Sequence, residues 1–357
     1  MVELFSRSLL ALDIGSSSIK LMELAGGNQK KVRAMAYIPL PAGIVANGVI
    51  KDPAAAQEQL KDFFKANRIF PFGRRVCVTL SGNAVIIKRV ALAPDKDKDL
   101  AEQAYYAAEQ HFQHSMNDLE FDFYNTGSLN ERGETNVVLV GAKREAIDGL
   151  MEIVHGNRMK IGVVETDVFA LANMFEHNYG TSETIMALIN VGASCTQVTL
   201  VWRGEYLYTR EVAIGGNEYT RRLAEAMSVD AAAAEGTKIA VSNFTQDATE
   251  VVARQLSETN DQLVSEIQTT VAYYLQGADN AVPGIPFTNA FLAGGACRTL
   301  GFEAALAAAL QVPVAILNPF QNVQVNHRKF PPEELSLDAQ KYGVAVGLGL
   351  RSVGDKS

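Results

Sequence analysis

Along the chain, apolar residues arrive in short blocks whose period switches between two and about four, and the switching predicts the order of elements. Leu9 to Leu24 reads as an apolar run, the polar turn Asp13-Ile14-Gly15-Ser16-Ser17-Ser18, and apolar alternation again, which predicts a hairpin. Val32–Ile38 adds a strand, broken by Pro39-Leu40-Pro41-Ala42-Gly43. Asp52-Pro53 opens a helix through Ala54–Asn67, with proline in its first turn. Val76–Leu80 reads as a buried strand closed by Ser81-Gly82-Asn83. From Val85 the character changes: a strand at Val85–Val90, a charged helix at Asp97–His114, strands Leu119–Tyr124 and Asn136–Gly141 around the polar loop Gly127–Glu134, and a helix at Lys143–Asn157. This β-α-β-β-α block, about 85–163, reads as an inserted module. The strand Ile161–Glu165 then leads into a helix at Val168–His177.

The second half opens on an echo of the first. Ile189–Val201 repeats apolar strand, short polar residue (Asn190), Gly192-Ala193-Ser194, apolar strand. Two such hairpins predict two related lobes facing one ligand. Tyr206–Ile214 is a further strand, and Gly215-Gly216 precedes the helix Glu218–Met227, a place for free amides that favour phosphate. Val229–Gln276 is largely helical, with turns at Phe244–Asp247. Asn289–Ala293 is a strand ending in Gly294-Gly295, followed by the helix Gly301–Leu310. A polar loop runs to Leu337, and Tyr342–Leu350 is a helix whose Gly343, Gly347 and Gly349 permit close packing.

The first turn has a chemistry of its own. Gly15 lacks the Cβ that would hold a backbone away from a ligand, Ser16, Ser17 and Ser18 add hydroxyls to turn amides, and Asp13 suits a cation held through water. An ordinary hairpin with a solvated serine turn has the same pattern. Composition narrows the class. A formal charge of -8 over 357 residues argues against nucleic acid as the main partner. Cys77, Cys195 and Cys297 are scattered and suit a reducing compartment. His111 and His114 share a helix face but have no third ligand nearby, so they read as solvated. Met1–Ser8 has no signal-peptide pattern and no apolar run reaches spanning length, which makes a cytoplasmic location the expectation.

These residues together resemble the actin, Hsp70 and FtsA superfamily of ATP-binding proteins. Asp13-Ile14-Gly15-Ser16 is similar to its first phosphate loop, Asn190-Val191-Gly192-Ala193 to the second, and Leu292-Ala293-Gly294-Gly295-Ala296-Cys297-Arg298 to the adenosine loop. Glu165–Ala170 and Tyr342–Leu348 are similar to the connecting segments, and Gly215-Gly216, Glu235, Lys238 and Ser242 fall where Hsp70-like proteins contact phosphate, ribose and adenine. Within the superfamily the chain most resembles the PilM family of type IV pilus assembly, through the Gly-Ser-Ser-Ser-Ile-Lys-Leu hairpin, Glu165–Ala172, the inserted block and Leu317-Asn318-Pro319-Phe320.

The resemblance implies an α/β, actin-like (ribonuclease H-like) two-lobed fold with an inserted SHS2-like 1C subdomain. Lobe one would be 1–84, 164–184 and 320–357, the insert 85–163, and lobe two 185–319 with a helical subdomain near 225–280. It implies ATP with Mg²⁺, the ion held by Asp13 through water. Lys20 is a candidate to neutralise phosphate, Glu165 to orient the metal's water, and Arg298 to pack along adenine. The implied role is a scaffold binding the cytoplasmic N-terminal tail of PilN, with other inner-membrane pilus components as further partners, membrane contact only through partners, and a homo-oligomer as an option. An FtsA-like polymerising protein and a small-molecule kinase are the alternatives. The family's second phosphate loop begins with Asp, and here Asn190 stands there. An amide hydrogen-bonds a metal-bound water but lacks the charge to activate one. The expectation is therefore nucleotide binding with slow or absent hydrolysis.

Overall fold

A computed structural model of the chain describes residues 9–355 apart from 28, 47, 96, 97, 279 and 280. The segment Met1–Ser8, read above for its lack of a signal peptide, and Asp97, read as a helix start, lie outside the described residues. The chain runs β1 (Leu10–Ile14), β2 (Ser18–Ala25), β3 (Lys30–Pro39), the short β4 (Val45–Ala46) and β5 (Val49–Ile50), α1 (Pro53–Ala66), β6 (Arg75–Leu80), β7 (Val85–Leu92), α2 (Leu100–His111), β8 (Leu119–Leu129), β9 (Thr135–Lys143) and α3 (Arg144–Gly156). It continues with β10 (Lys160–Thr166), α4 (Asp167–Tyr179), β11 (Ile185–Val191), β12 (Thr196–Trp202), β13 (Glu205–Val212), α5 (Gly216–Met227), α6 (Ala231–Ser242) and α7 (Glu250–Leu275). The last elements are β14 (Phe287–Ala293), α8 (Phe302–Leu310), β15 (Val314–Ile316), β16 (Val323–Gln324), α9 (Pro332–Asp338) and α10 (Gly343–Leu350). They fall into two units: Met1–Asn173 with Glu205–Tyr208 and Ala345–Ser357, and Met174–Gly204 with Thr209–Val344.

In the first unit the strand order is β10-β6-β1-β2-β3, with β1 parallel to β6 and antiparallel to β2. β1 is apolar at four of its five positions and buried throughout, as a central strand covered on both faces should be. Helix α1 starts where Asp52 accepts the Ala55 amide at 2.9 Å, and it buries Ala56, Leu60 and Phe64, one stripe at i, i+4, i+8. That stripe shares a core with Leu10, Leu12, Val76 and Val78 of the sheet and with Leu150, Ile153 and Val154 of α3. A second, three-stranded sheet, β7-β9-β8, has α2 on one face, closing over Val90, Ala104, Ala108, Phe112 and Leu139. On its other face Val138, Ile87 and Val140 meet Val168, Phe169 and Tyr206.

In the second unit β12-β11-β14-β15 form a sheet that ends on β13, antiparallel at β11/β12 and parallel at β11/β14 and β14/β15. Helices α5, α6, α7 and α8 pack together. The Tyr219 hydroxyl donates to Asn260 Oδ1 at 2.9 Å, and Asn260 Nδ2 donates to the Leu300 carbonyl at 2.9 Å. Those bonds satisfy a buried polar pair that would otherwise destabilise the helical layer.

Several boundaries differ from the pattern-based expectation, each for a local reason. α2 begins at Leu100, where Asp99 caps the Glu102 amide at 2.8 Å, and ends at His111 because Phe112 turns extended into the core. β8 runs on to Leu129, and the loop shrinks to a turn in which Asn130 Oδ1 accepts the amides of Arg132 and Glu134. The polar stretch before Leu337 contains α9, opened by Pro332 in its first turn. β15, a strand of three residues, is too short to show a period.

Helix α10 lies against α4 so closely that a Cβ on Gly347 would sit 1.8 Å from the Ala170 carbonyl oxygen. Gly347→Ala is expected to lower stability by about 3 kcal/mol, since a backbone cannot yield as a side chain can. A urea denaturation midpoint equal to that of the parent would show that the two helices separate freely.

Candidate functional site

The first unit presents the β1–β2 hairpin. Asp13 and Lys20 are direct partners across the ladder, so their side chains share a face, and Lys20 Nζ lies 3.1 Å from Asp13 Oδ2. The turn is held by Gly15 N donating to the Ser18 carbonyl at 3.0 Å and by Ile14 N donating to Thr79 Oγ1 at 3.3 Å. Ser17 is exposed and Ser16 half-buried, whereas Ser18 is buried and its hydroxyl has no hydrogen-bond partner among the described residues. Lys20, expected on phosphate, neutralises Asp13 here. Among the described residues no group of three or more His, Cys, Asp or Glu could hold a metal ion.

At the end of β10, Glu165 is buried, receives the Thr166 amide at 2.9 Å and pairs with Arg351 Nη1 at 2.9 Å. Burial raises its pKa above the ordinary carboxylate range, and Arg351 and the amide work against that shift. Sequence reasoning missed Arg351, which lies far along the chain just after α10.

The second unit brings together Asn190, Gly192, Ala193, Gly215, Gly216, Glu235, Lys238, Gly294 and Ala296. The turn after β11 closes through Gly192 N donating to the Cys195 carbonyl at 2.9 Å. Its carbonyls then meet the start of α5: Gly216 N donates to Gly192 O at 2.9 Å and Asn217 N to Ala193 O at 2.8 Å, while Glu218 N donates to Gly215 O at 3.0 Å. The Gly216 and Asn217 amides, expected to be free at this helix N-terminus, are therefore occupied by the hairpin. Gly215 permits the approach, since a Cβ there would stand 2.7 Å from Ala193 O and Cys195 N. Gly294, at φ +89°, is likewise pressed on β11, where a Cβ would meet Val191 O at 2.3 Å and Asn190 Oδ1 at 2.7 Å. Gly294 N donates to the Gln340 carbonyl and Ala296 N to the Val191 carbonyl, at 3.0 and 3.1 Å.

A cation completes this cluster. Lys238 is buried, and its Nζ donates to Gly216 O and to Thr220 Oγ1, each at 2.9 Å, and pairs with Glu235 at 2.7 Å. Burial lowers the Lys238 pKa and Glu235 opposes that. Thr220 is also hydrogen-bonded to Glu235. It went unread in the sequence, although it lies one helical turn after Gly216, on the same face. Glu235 itself stays partly open to solvent, as does Gly295. Ser242 Oγ accepts the Leu300 amide at 3.3 Å. Arg298 donates from Nη2 to the Ser336 carbonyl at 2.8 Å. It lines a cavity of about 400 Å³ with Leu317, Phe320, Leu335 and Gln340. The thiols of Cys77 and Cys297 are buried and pushed up to about 12, so they stay protonated near neutral pH. Cys195 instead hydrogen-bonds Glu211, whose pKa burial raises.

A nucleotide fits the donor set of the second unit. Lys238 carries a buried cation, Glu235 a partly exposed carboxylate, and Gly295 an exposed backbone. The family described as type IV pilus assembly protein PilM matches residues 11–353. Among solved structures the chain is similar to a PilM-PilN type IV pilus biogenesis complex, with TM-score 0.84 and 23% identity over 98% of this chain and 99% of that one. It is also similar to MreB5 of Spiroplasma citri bound to AMPPNP, with TM-score 0.55 and 13% identity over 96% and 94% of the two chains. The ethanolamine utilization protein EutJ from Carboxydothermus hydrogenoformans is a further likeness, with TM-score 0.52 and 14% identity over 95% and 90%. The α/β fold is thus actin-like, as the motifs imply.

Ionising buried Glu165 costs stability as pH climbs from its unfolded pKa through its raised folded one. Arg351→Met removes the compensating charge and is expected to cost about 3 kcal/mol at about pH 8, and less at about pH 5. Adding Glu165→Gln should restore most of it in chemical denaturation. A penalty independent of pH would show that Arg351 stabilises by packing alone.

Proposed function

The chain belongs to the PilM family of type IV pilus assembly proteins, and from that premise we propose that it is an ATP-binding scaffold which captures the N-terminal tail of PilN. The observation that carries this is the likeness, end to end in both chains, to a structure in which a PilM is assembled with PilN. The scaffold would work at the cytoplasmic face of the inner membrane. Among the described residues no helix is long and apolar enough to cross a membrane.

In this reading the second unit holds the nucleotide. Lys238, with Thr220 beside it, faces phosphate at the turns Asn190–Ala193 and Gly215–Gly216, Glu235 accepts ribose hydroxyls, and Ser242, Gly294–Ala296 and Arg298 border the base. In the first unit Asp13 would hold Mg²⁺ through water, and Lys20 would neutralise phosphate. Mg-ATP, when bound, supplies a terminal phosphoryl group open to attack by water. Asn190 can orient that water but cannot take its proton, and Glu165 is already committed to Arg351. Turnover is accordingly slow.

For the partner, the segment 85–163 is the proposed contact module. Its sheet order leaves β7 and β8 as edges among the described strands, each with a row of backbone groups that an extended peptide can pair with, and apolar side chains flanking the added strand would supply specificity.

Calorimetry should show ATP binding that weakens about tenfold or more in Lys238→Met, a loss typical of a charge-assisted phosphate contact. Asn190→Asp should raise phosphate release, and a parent chain that already turns over rapidly would overturn the assignment to Asn190. A labelled PilN-tail peptide should bind saturably in fluorescence anisotropy. That binding should vanish when 86–141 is replaced by a short linker, while ATP binding persists. No binding of the peptide to the parent chain would overturn the scaffold reading.

A further inference from the structure

Between α1 and β6 the chain makes a turn that neither the nucleotide nor the peptide reading uses. Phe70 and Phe72 are 86% and 77% exposed there, the first and third most exposed large apolar side chains described. Such exposure has to be reconciled with how rigidly the turn is built. Ile69 is packed on the core and its amide donates to Phe64 O at 2.9 Å, closing α1. Arg74 N donates to Pro71 O at 3.0 Å with Gly73 at φ +72°, a type II turn, and Gly73 N donates to Arg158 O at 2.9 Å. Arg74 is pinned to Glu23 at 2.8 Å. The two rings therefore stand out from a turn whose backbone is held in place.

Around them lie Lys65, Arg68 and Arg75 on the turn's own flanks, and Arg158 and Lys160 on the strand approach beside it, all exposed. Arg75 and Lys160 are paired directly across the β6/β10 ladder, an arrangement of like charges that costs stability in water. Glu23, the carboxylate that reaches the turn, is shared by Arg74 and Arg33, and none of the five cations forms an ion pair among the described residues. In a chain of net charge -8 this is a local cationic collar around two aromatic rings. We infer that the turn Ile69–Arg75 is a direct membrane contact, placing Phe70 and Phe72 at the acyl boundary and the collar among anionic headgroups. Aromatic rings with flanking cations are the chemistry of an interfacial anchor. The contact goes beyond attachment through a partner, and its test contains no partner.

The full chain is sedimented with vesicles of phosphatidylethanolamine and phosphatidylglycerol, and separately with phosphatidylcholine. Binding is expected to the anionic vesicles only, and to fall with added salt. Arg68→Gln with Arg75→Gln should weaken it about twenty-five-fold, each cation being worth about fivefold. Phe70→Ser with Phe72→Ser should abolish it without lowering the thermal midpoint, since the rings support nothing in the fold. Absence of binding to anionic vesicles, equal binding to phosphatidylcholine, or serine variants that bind like the parent would overturn the inference. So would a serine variant that instead loses self-association in sedimentation velocity, which would make the turn a contact between copies.

Discussion

Each of the two candidate sites depends on backbone meeting backbone where no Cβ intervenes. In the second unit, Gly215 and Gly294 let the turn after β11, the start of α5 and the end of β14 close to hydrogen-bonding distance. In the first, Gly347 seats α10 on the Ala170 carbonyl, which also brings Arg351 toward Glu165. Main chain held on main chain positions atoms more firmly than side-chain packing, because neither partner has a rotamer to change. A phosphate site needs that firmness, since its donors must stand ready before the ligand arrives.

The same closeness has a chemical consequence. Once the hairpin carbonyls take the first amides of α5, the helix N-terminus no longer offers those donors, and Lys238 becomes the positive group of the cluster. Burial alone would drive Lys238 toward its neutral form, but Glu235, Thr220 Oγ1 and Gly216 O surround it with acceptors that favour the charge. Glu165 and Arg351 are the mirror case, a buried acid kept in place by a cation. In both pairs removal of one partner strands the other, so these positions tolerate paired changes better than single ones.

The small sheet β7-β9-β8 is built on a different plan. One face has its own core with α2, the other packs on Val168, Phe169 and Tyr206, and α3 belongs to the larger core with α1. Among the described strands β7 and β8 are its edges, and unpaired edges are an aggregation hazard unless covered, as the proposed strand addition would do.

Local chemistry was legible in the chain. The Asp13–Ser18 and Asn190–Cys195 turns and the Asp52-Pro53 helix start each depend on residues within one or two turns of each other, so the order of elements follows from sequence, and the actin-like class from the resemblance those motifs carry. What side chains do after folding was decided by tertiary structure. That Lys20 faces Asp13 depends on hairpin register; that Glu165 is paired depends on Arg351, from the far end of the chain. That the amides of Gly216 and Asn217 are occupied, and that Arg298 turns to Ser336, depends on which surfaces are pressed together. Those outcomes are set by contacts between residues distant in sequence, where neither periodicity nor turn propensity carries information, and only packing selects the partner.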